Sequence, residues 1–270
     1  MRLFVFLLLM LSTVSASFEL KSLHVTLAVN PDGSAHVDER IDIFLSSPDD
    51  VELYNSGMTI NDLATWKERI GLGDIRYHMG MAQVDIKNIR IRPQPVERCS
   101  TVSGACFSAL LFDYDVSSYA VNGTTVEGSG LFTTEKFKPR TTRYTLNSNA
   151  LSFDVTTDGD IVLQKNFILT IVLPKDAKNV YAQPLPKELL TMTPPFNGAY
   201  TFTWENTILP KFEFSYEREE SLESEVIQFF QSAQQYVSSV ISGPEGLAVI
   251  FICLILLASY VYIGKTKKKR

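Results

Sequence analysis

From Leu23 to Leu45 the chain alternates. Leu23, Val25, Leu27 and Val29 are separated by His24, Thr26 and Ala28, and Ala35, Val37, Ile41, Ile43 and Leu45 later alternate with His36, Asp38, Arg40 and Asp42. Successive side chains of a strand point to opposite faces, so a period of two describes strands that each bury one face. Between the runs stands Asn30-Pro31-Asp32-Gly33-Ser34, where proline presets φ and glycine accepts a positive φ. Folding the runs about this turn puts Leu27 beside Val37 and Thr26 beside Asp38, with His36 near Ala28 and His24 near Arg40. The apolar faces then coincide, as a hairpin register requires. Glu39 alone breaks the apolar side. It is expected at a rim, with a functional carboxylate as the alternative.

The same grammar continues. Leu110, Phe112, Tyr114 and Val116 alternate, as do Leu151, Phe153 and Val155, then Tyr200, Phe202 and Trp204, and Phe212, Phe214 and Tyr216. Thr141 to Leu146 and Phe167 to Leu173 read as further strands, and Asp158-Gly159 as a hairpin turn. Val84 and Ile86 share one parity and Ile89 and Ile91 the other, which predicts a β-bulge near Asn88. Ser46 to Asp50 reads as a polar turn. Asn61-Asp62 opens a short helix carrying Leu63, Trp66 and Ile70 on one face, with Trp66 packed on the sheet. Many short strands with frequent turn signals predict a mainly β, sandwich-like fold, one large or two in tandem, with a possible sub-boundary near 136–142.

The two ends differ from this body. Arg2, the apolar run Leu3 to Leu11 and the small residues to Ala16 have the layout of a cleavable signal peptide, residues 1–16. Nine residues rise only about 14 Å as a helix, too short for a hydrocarbon core of about 30 Å. Residues 246–264 are uncharged, with only Ser259, Tyr260 and Tyr262 as polar breaks, and would rise about 28 Å. The basic tail, residues 265–270, marks the cytoplasmic side, so the expected topology is single-pass type I with the bulk, residues 17–218, outside the cytoplasm. Between them, residues 219–243 place Leu222, Val226, Phe229, Phe230, Ala233, Val237, Val240 and Ile241 at steps of three and four, an amphipathic juxtamembrane helix. Val226, Phe230, Ala233, Val237 and Val240 would form its face for self-association or for a membrane complex.

Charge and chemistry narrow the function. Setting aside Arg2 and the five cations of the tail leaves 19 basic against 30 acidic residues in residues 17–245, a net of −11. Such a domain repels phosphates, which excludes nucleic acid as a partner. Cys99 and Cys106 enclose a short loop containing Gly104, a spacing that suits a disulfide in an exported domain. Cys253 lies within the apolar C-terminal run. Asn122-Gly123-Thr124 is a glycosylation acceptor pattern. The three histidines, His24, His36 and His78, are expected as exposed strand residues. No HExxH, no GxSxG and no phosphate-cradling glycine loop occurs. The reading is therefore a protein without catalytic, metal or cofactor residues. Asp154, Asp158 and Asp160 around one turn, with Asp113 and Asp115 on one strand face, form the one calcium hypothesis.

The stretches LHVTLAVNPDGSAHVDERIDIF, ILTIVLPKDAKNVYAQPLP and FTWENTILPKFEFSYERE resemble the opening hairpin and closing strands of uncharacterised prokaryotic, especially archaeal, single-pass envelope proteins. The resemblance rests on strand-and-turn patterns and brings no functional residues with it. It implies a membrane-anchored, non-enzymatic binding or structural module of the cell envelope with a protein or glycan partner. The alternatives are an accessory subunit of a membrane complex and an extracytosolic hydrolase, which a close His, Asp or Glu constellation in a cleft would favour. Lys267-Lys268, placed third and fourth from the C-terminus, leave the endoplasmic reticulum membrane as an alternative location.

Overall fold

A computed structural model describes residues 18–68, 75–117, 130–138, 140–189, 198, 200–219 and 234. The chain divides into two compact units, Met1–Glu219 and Glu220–Arg270. The expected signal peptide (1–16), Asn122, the apolar run (246–264), the basic tail (265–270) and, but for Glu219 and Gln234, the expected juxtamembrane helix (219–243) lie outside the described residues. Glu219 is not helical: it closes the last strand. Among the described residues no helix is long and apolar enough to cross a membrane.

The first unit is mainly β. Strands β1 (Phe18–Val29) and β2 (Ala35–Leu45) form the expected hairpin, with Leu27 opposite Val37, Thr26 opposite Asp38, Ala28 opposite His36 and His24 opposite Arg40. The turn is closed by Gly33 at φ 82° and by Asp32, which accepts hydrogen bonds from the Ser34 backbone and hydroxyl. Strand β2 pairs next with β4 (Cys106–Val116), and β4 with the edge strand β3 (Ile86–Pro93). Register shifts between Lys87 and Arg90, and Asn88 stands at φ 55°, the expected bulge. On the other flank β1 pairs in parallel with β9 (Phe167–Val172), and β9 antiparallel with β11 (Thr201–Glu205). The result is a six-stranded sheet ordered β11-β9-β1-β2-β4-β3.

A second sheet runs β10 (Ala177–Gln183), β13 (Glu213–Glu219), β6 (Thr141–Leu146), β5 (Phe132–Lys138). The sheets pack through aromatic rings: Phe202 of β11 meets Phe214 of β13 edge-on at 5.2 Å, and Trp204 meets Phe212 at 5.1 Å. A small third sheet joins β7 (Asp154–Val155), β8 (Ile161–Val162) and β12 (Ile208–Leu209), with Gly159 at φ 85° in the turn between β7 and β8. One hydrophobic core runs through all of this. Around the possible sub-boundary near 136–142, Lys136 of β5 pairs with Thr142 of β6 and Lys138 with Thr141.

Two helices lie between β2 and β3. Helix α1 (Pro48–Ser56) occupies the region expected as a polar turn. Ser47 caps it, its hydroxyl accepting from the Asp50 backbone while the Asp50 carboxylate accepts from the Ser47 backbone N–H, a reciprocal box at the helix start. Helix α2 (Leu63–Glu68) carries Trp66, which is fully buried against Tyr54 and donates to the Ile60 carbonyl.

Candidate ligand cleft around His78

Glu39 is not at a rim. It is 1% exposed at the middle of β2, among the apolar side chains of the inner face. A carboxylate there needs partners, since an isolated buried charge costs several kcal/mol. His78 and Tyr114 supply them. The His78 backbone N–H donates to Glu39 Oε1 at 2.8 Å, His78 Nδ1 lies 2.8 Å from Oε2, and the Tyr114 hydroxyl donates to Oε1. Where the carboxylate is ionised it only accepts, and His78 Nδ1 is then the donor. Tyr114 is fully buried, and burial first, then the Glu39 charge, pushes its hydroxyl well above the usual phenol range.

His78 is not an exposed strand residue either. It is 5% exposed and belongs to the irregular segment 75–80. That segment is pinned from two sides. The Ser152 N–H donates to the His78 carbonyl at 2.8 Å, and the Gly80 N–H donates to the Ala150 carbonyl at 2.7 Å. The imidazole packs on the Phe153 ring at 5.2 Å and faces the edge of Phe167 at 6.5 Å. With Nδ1 committed to Glu39, Nε2 has no hydrogen-bond partner among the described residues.

The ring lines a cleft of about 650 Å³. Phe18 and Leu20 from β1 and Phe167 from β9 supply its apolar surface. Its polar surface comes from Lys67 of α2, Arg76, Asp154 of β7 and Gln164, with Glu19 beside them. Arg76 Nη2 donates to Asp154 Oδ1 at 2.6 Å and Gln164 Nε2 to Oδ2 at 2.5 Å. The Arg76 hydrogen bond is the main reason the Asp154 carboxyl is held below the ordinary range. The cleft thus joins an aromatic wall to fixed donors above a histidine whose orientation is locked from behind.

Of the other residues singled out in the sequence, Asp154 lines this cleft and the rest fall elsewhere. Cys99 and Cys106 are joined in a disulfide, as expected. His24 is exposed on β1. His36 is partly exposed and its Nδ1 lies 2.8 Å from Asp115 Oδ1, the main cause of its raised pKa. Asp113 pairs with Arg92, while Asp115 accepts from Asn88 and contacts His36. Asp160 accepts from the Lys211 backbone, and Asp154 is committed to Arg76 and Gln164. No group of three acidic, His or Cys residues suited to a metal occurs among the described residues. The sequence signal for this site is Glu39, the one acid on an otherwise apolar strand face, and what the structure corrects is its expected place at a rim.

No protein-family model matches the chain, and a search of curated proteins returns no significant match.

Proposed function

We propose that this chain is an exported, membrane-anchored binding module that recognises its ligand in the cleft around His78. The observation that carries the binding reading is the buried Glu39–His78 pair. It leaves an unpartnered ring nitrogen on a side chain that lines a concave surface of mixed aromatic and polar character, the usual composition of a ligand site. The location rests on the sequence: the signal-like residues 1–16, the uncharged residues 246–264 and the basic tail. The Cys99–Cys106 disulfide suits an oxidising compartment. In this reading residues 17–218 form a sandwich-like ectodomain, the amphipathic residues 219–243 stand between it and the bilayer, and the module belongs to the cell envelope.

Native mass spectrometry of the full chain, extracted in mild detergent, tests the binding. A bound adduct that Arg76→Ala removes supports the reading. An adduct indifferent to Arg76→Ala, or none on the wild-type chain, argues against it. Protease added to sealed right-side-out vesicles tests the orientation: sparing of the bulk would refute it.

One observation favours hydrolysis as a second reading. A histidine held through Nδ1 by a carboxylate is the arrangement of a general base. Among the described residues no Ser, Thr or Cys lines the cleft, so water would be the nucleophile there. Turnover of an ester that His78→Gln abolishes would establish this reading over simple binding.

A further inference from the structure

The donors and acceptors in the cleft do not balance. Both oxygens of Glu39 are occupied, by His78 and Tyr114. Both oxygens of Asp154 are occupied, by Arg76 and Gln164. Glu19 at the mouth gives one oxygen to Lys21 at 2.6 Å. The donors are less used. Lys67 has no ion-pair partner among the described residues, and its ammonium carries three protons. Arg76 spends one of its five N–H groups on Asp154, and its planar fork can still grip a second oxyanion.

Resting on the binding reading above, we infer that the cleft takes a small ligand that places an oxyanion, a carboxylate or a phosphate, between Lys67 and Arg76, with an apolar body against Phe18, Leu20 and Phe167. A cleft in which Lys67 and Arg76 hold most of the unused hydrogen-bonding capacity is completed by a group that only accepts. The ligand's charge also offsets that of Lys67, since Asp154 already balances Arg76. The apolar wall favours a ligand whose oxyanion sits at the end of a hydrophobic or planar body, because free inorganic ions would leave those rings unfilled. The net charge of −11 over residues 17–245 repels anions at long range, so binding here depends on local contacts and not on steering.

Calorimetric titration of the full chain in a non-ionic detergent tests this with three probes of similar shape: benzoate, phenyl phosphate and neutral benzyl alcohol. Benzoate or phenyl phosphate is expected to bind at least tenfold tighter than benzyl alcohol, and the tighter of the two identifies the oxyanion. Lys67→Met should weaken that binding about tenfold, and Glu19→Gln, which removes the carboxylate at the mouth, should strengthen it. Both positions are on the surface, so neither variant depends on the buried Glu39–His78 pair for folding. Equal affinity for benzyl alcohol, or no change in Lys67→Met, overturns the oxyanion assignment and leaves a cleft that binds something else. Failure of all three probes, together with no adduct in the native mass spectrum, removes the binding reading itself.

Discussion

Glu39 is the residue on which most depends. Its carboxylate accepts from the His78 backbone N–H, the His78 ring and the Tyr114 hydroxyl. Removing one member of a buried hydrogen-bonded pair leaves the others desolvated and unpaired, which costs about 3–5 kcal/mol. Glu39→Ala should therefore lower unfolding stability by about that amount in urea denaturation. Glu39→Gln should cost less, because the amide oxygen can still accept from two of the three donors. Equal losses in both variants would mean that shape and not hydrogen bonding holds the residue. Gly104 offers a second test at this scale. It stands at φ 69°, and an added Cβ would lie 2.8 Å from Pro48 Cγ, so Gly104→Ala is strained in backbone and contact alike. About 1–3 kcal/mol of destabilisation is expected in the same assay.

Among the elements, the loop closed by Cys99–Cys106 sits between β3 and β4 and leads directly into the strand that bears Tyr114. A disulfide across so short a loop contributes about 2–3 kcal/mol, chiefly by restricting the unfolded chain. The double variant Cys99→Ser, Cys106→Ser should lose that much in non-reducing urea titrations and keep the fold, since Cys106 already pairs with Leu45 through the strand. This bridge and the β1–β2 register were legible in the sequence because both are local: a short spacing fixes one, and a period of two fixes the other. Helix α1 was not legible. Its start, Ser47-Pro48-Asp49-Asp50, reads equally as a turn, and only Asp50 and Tyr54 are buried, so no apolar stripe announces it. Strand β10 hides for another reason: a register shift between Lys178 and Tyr181, with Asn179 at φ 48°, breaks its alternation. The parallel pairing of β1 with β9 joins strands far apart in the chain, which no local pattern encodes. The cleft was hidden likewise. Glu39 was visible as an anomaly, but its partner His78 lies in a segment without periodicity, and only the tertiary fold brings the two together.

For the whole first unit, the charged surface sets how stability varies with pH. Arg76 holds the Asp154 carboxyl below its ordinary range, Arg218 holds Asp176 down, and Asn88 first, then His36, holds Asp115 down. Burial alone would raise Glu217, but hydrogen bonds from Asn179 and Arg143 outweigh it and the net shift is downward. A carboxyl whose folded pKa lies below its unfolded value adds stability that is complete above the unfolded value and is lost as pH falls through the folded one. The acid limb therefore begins near the ordinary values of 3.8 for Asp and 4.5 for Glu and steepens below them. His36 acts in the opposite sense. Its hydrogen bond to Asp115 raises its pKa above 6.5, so its contribution is complete below that value and is lost as pH rises through the folded pKa. The thermal midpoint of the full chain should peak between about pH 4.5 and 6.5, fall steeply on the acid side and gently on the alkaline side. The alkaline decline is small because the His36–Asp115 pair is half exposed and screened by solvent and salt. Midpoints measured by calorimetry across this range check the shape, and His36→Gln separates the limbs. It should flatten the alkaline side while most of the acid side persists, because Asp154, Asp176 and Glu217 keep their partners. An alkaline slope unchanged in His36→Gln would place that titration on another group.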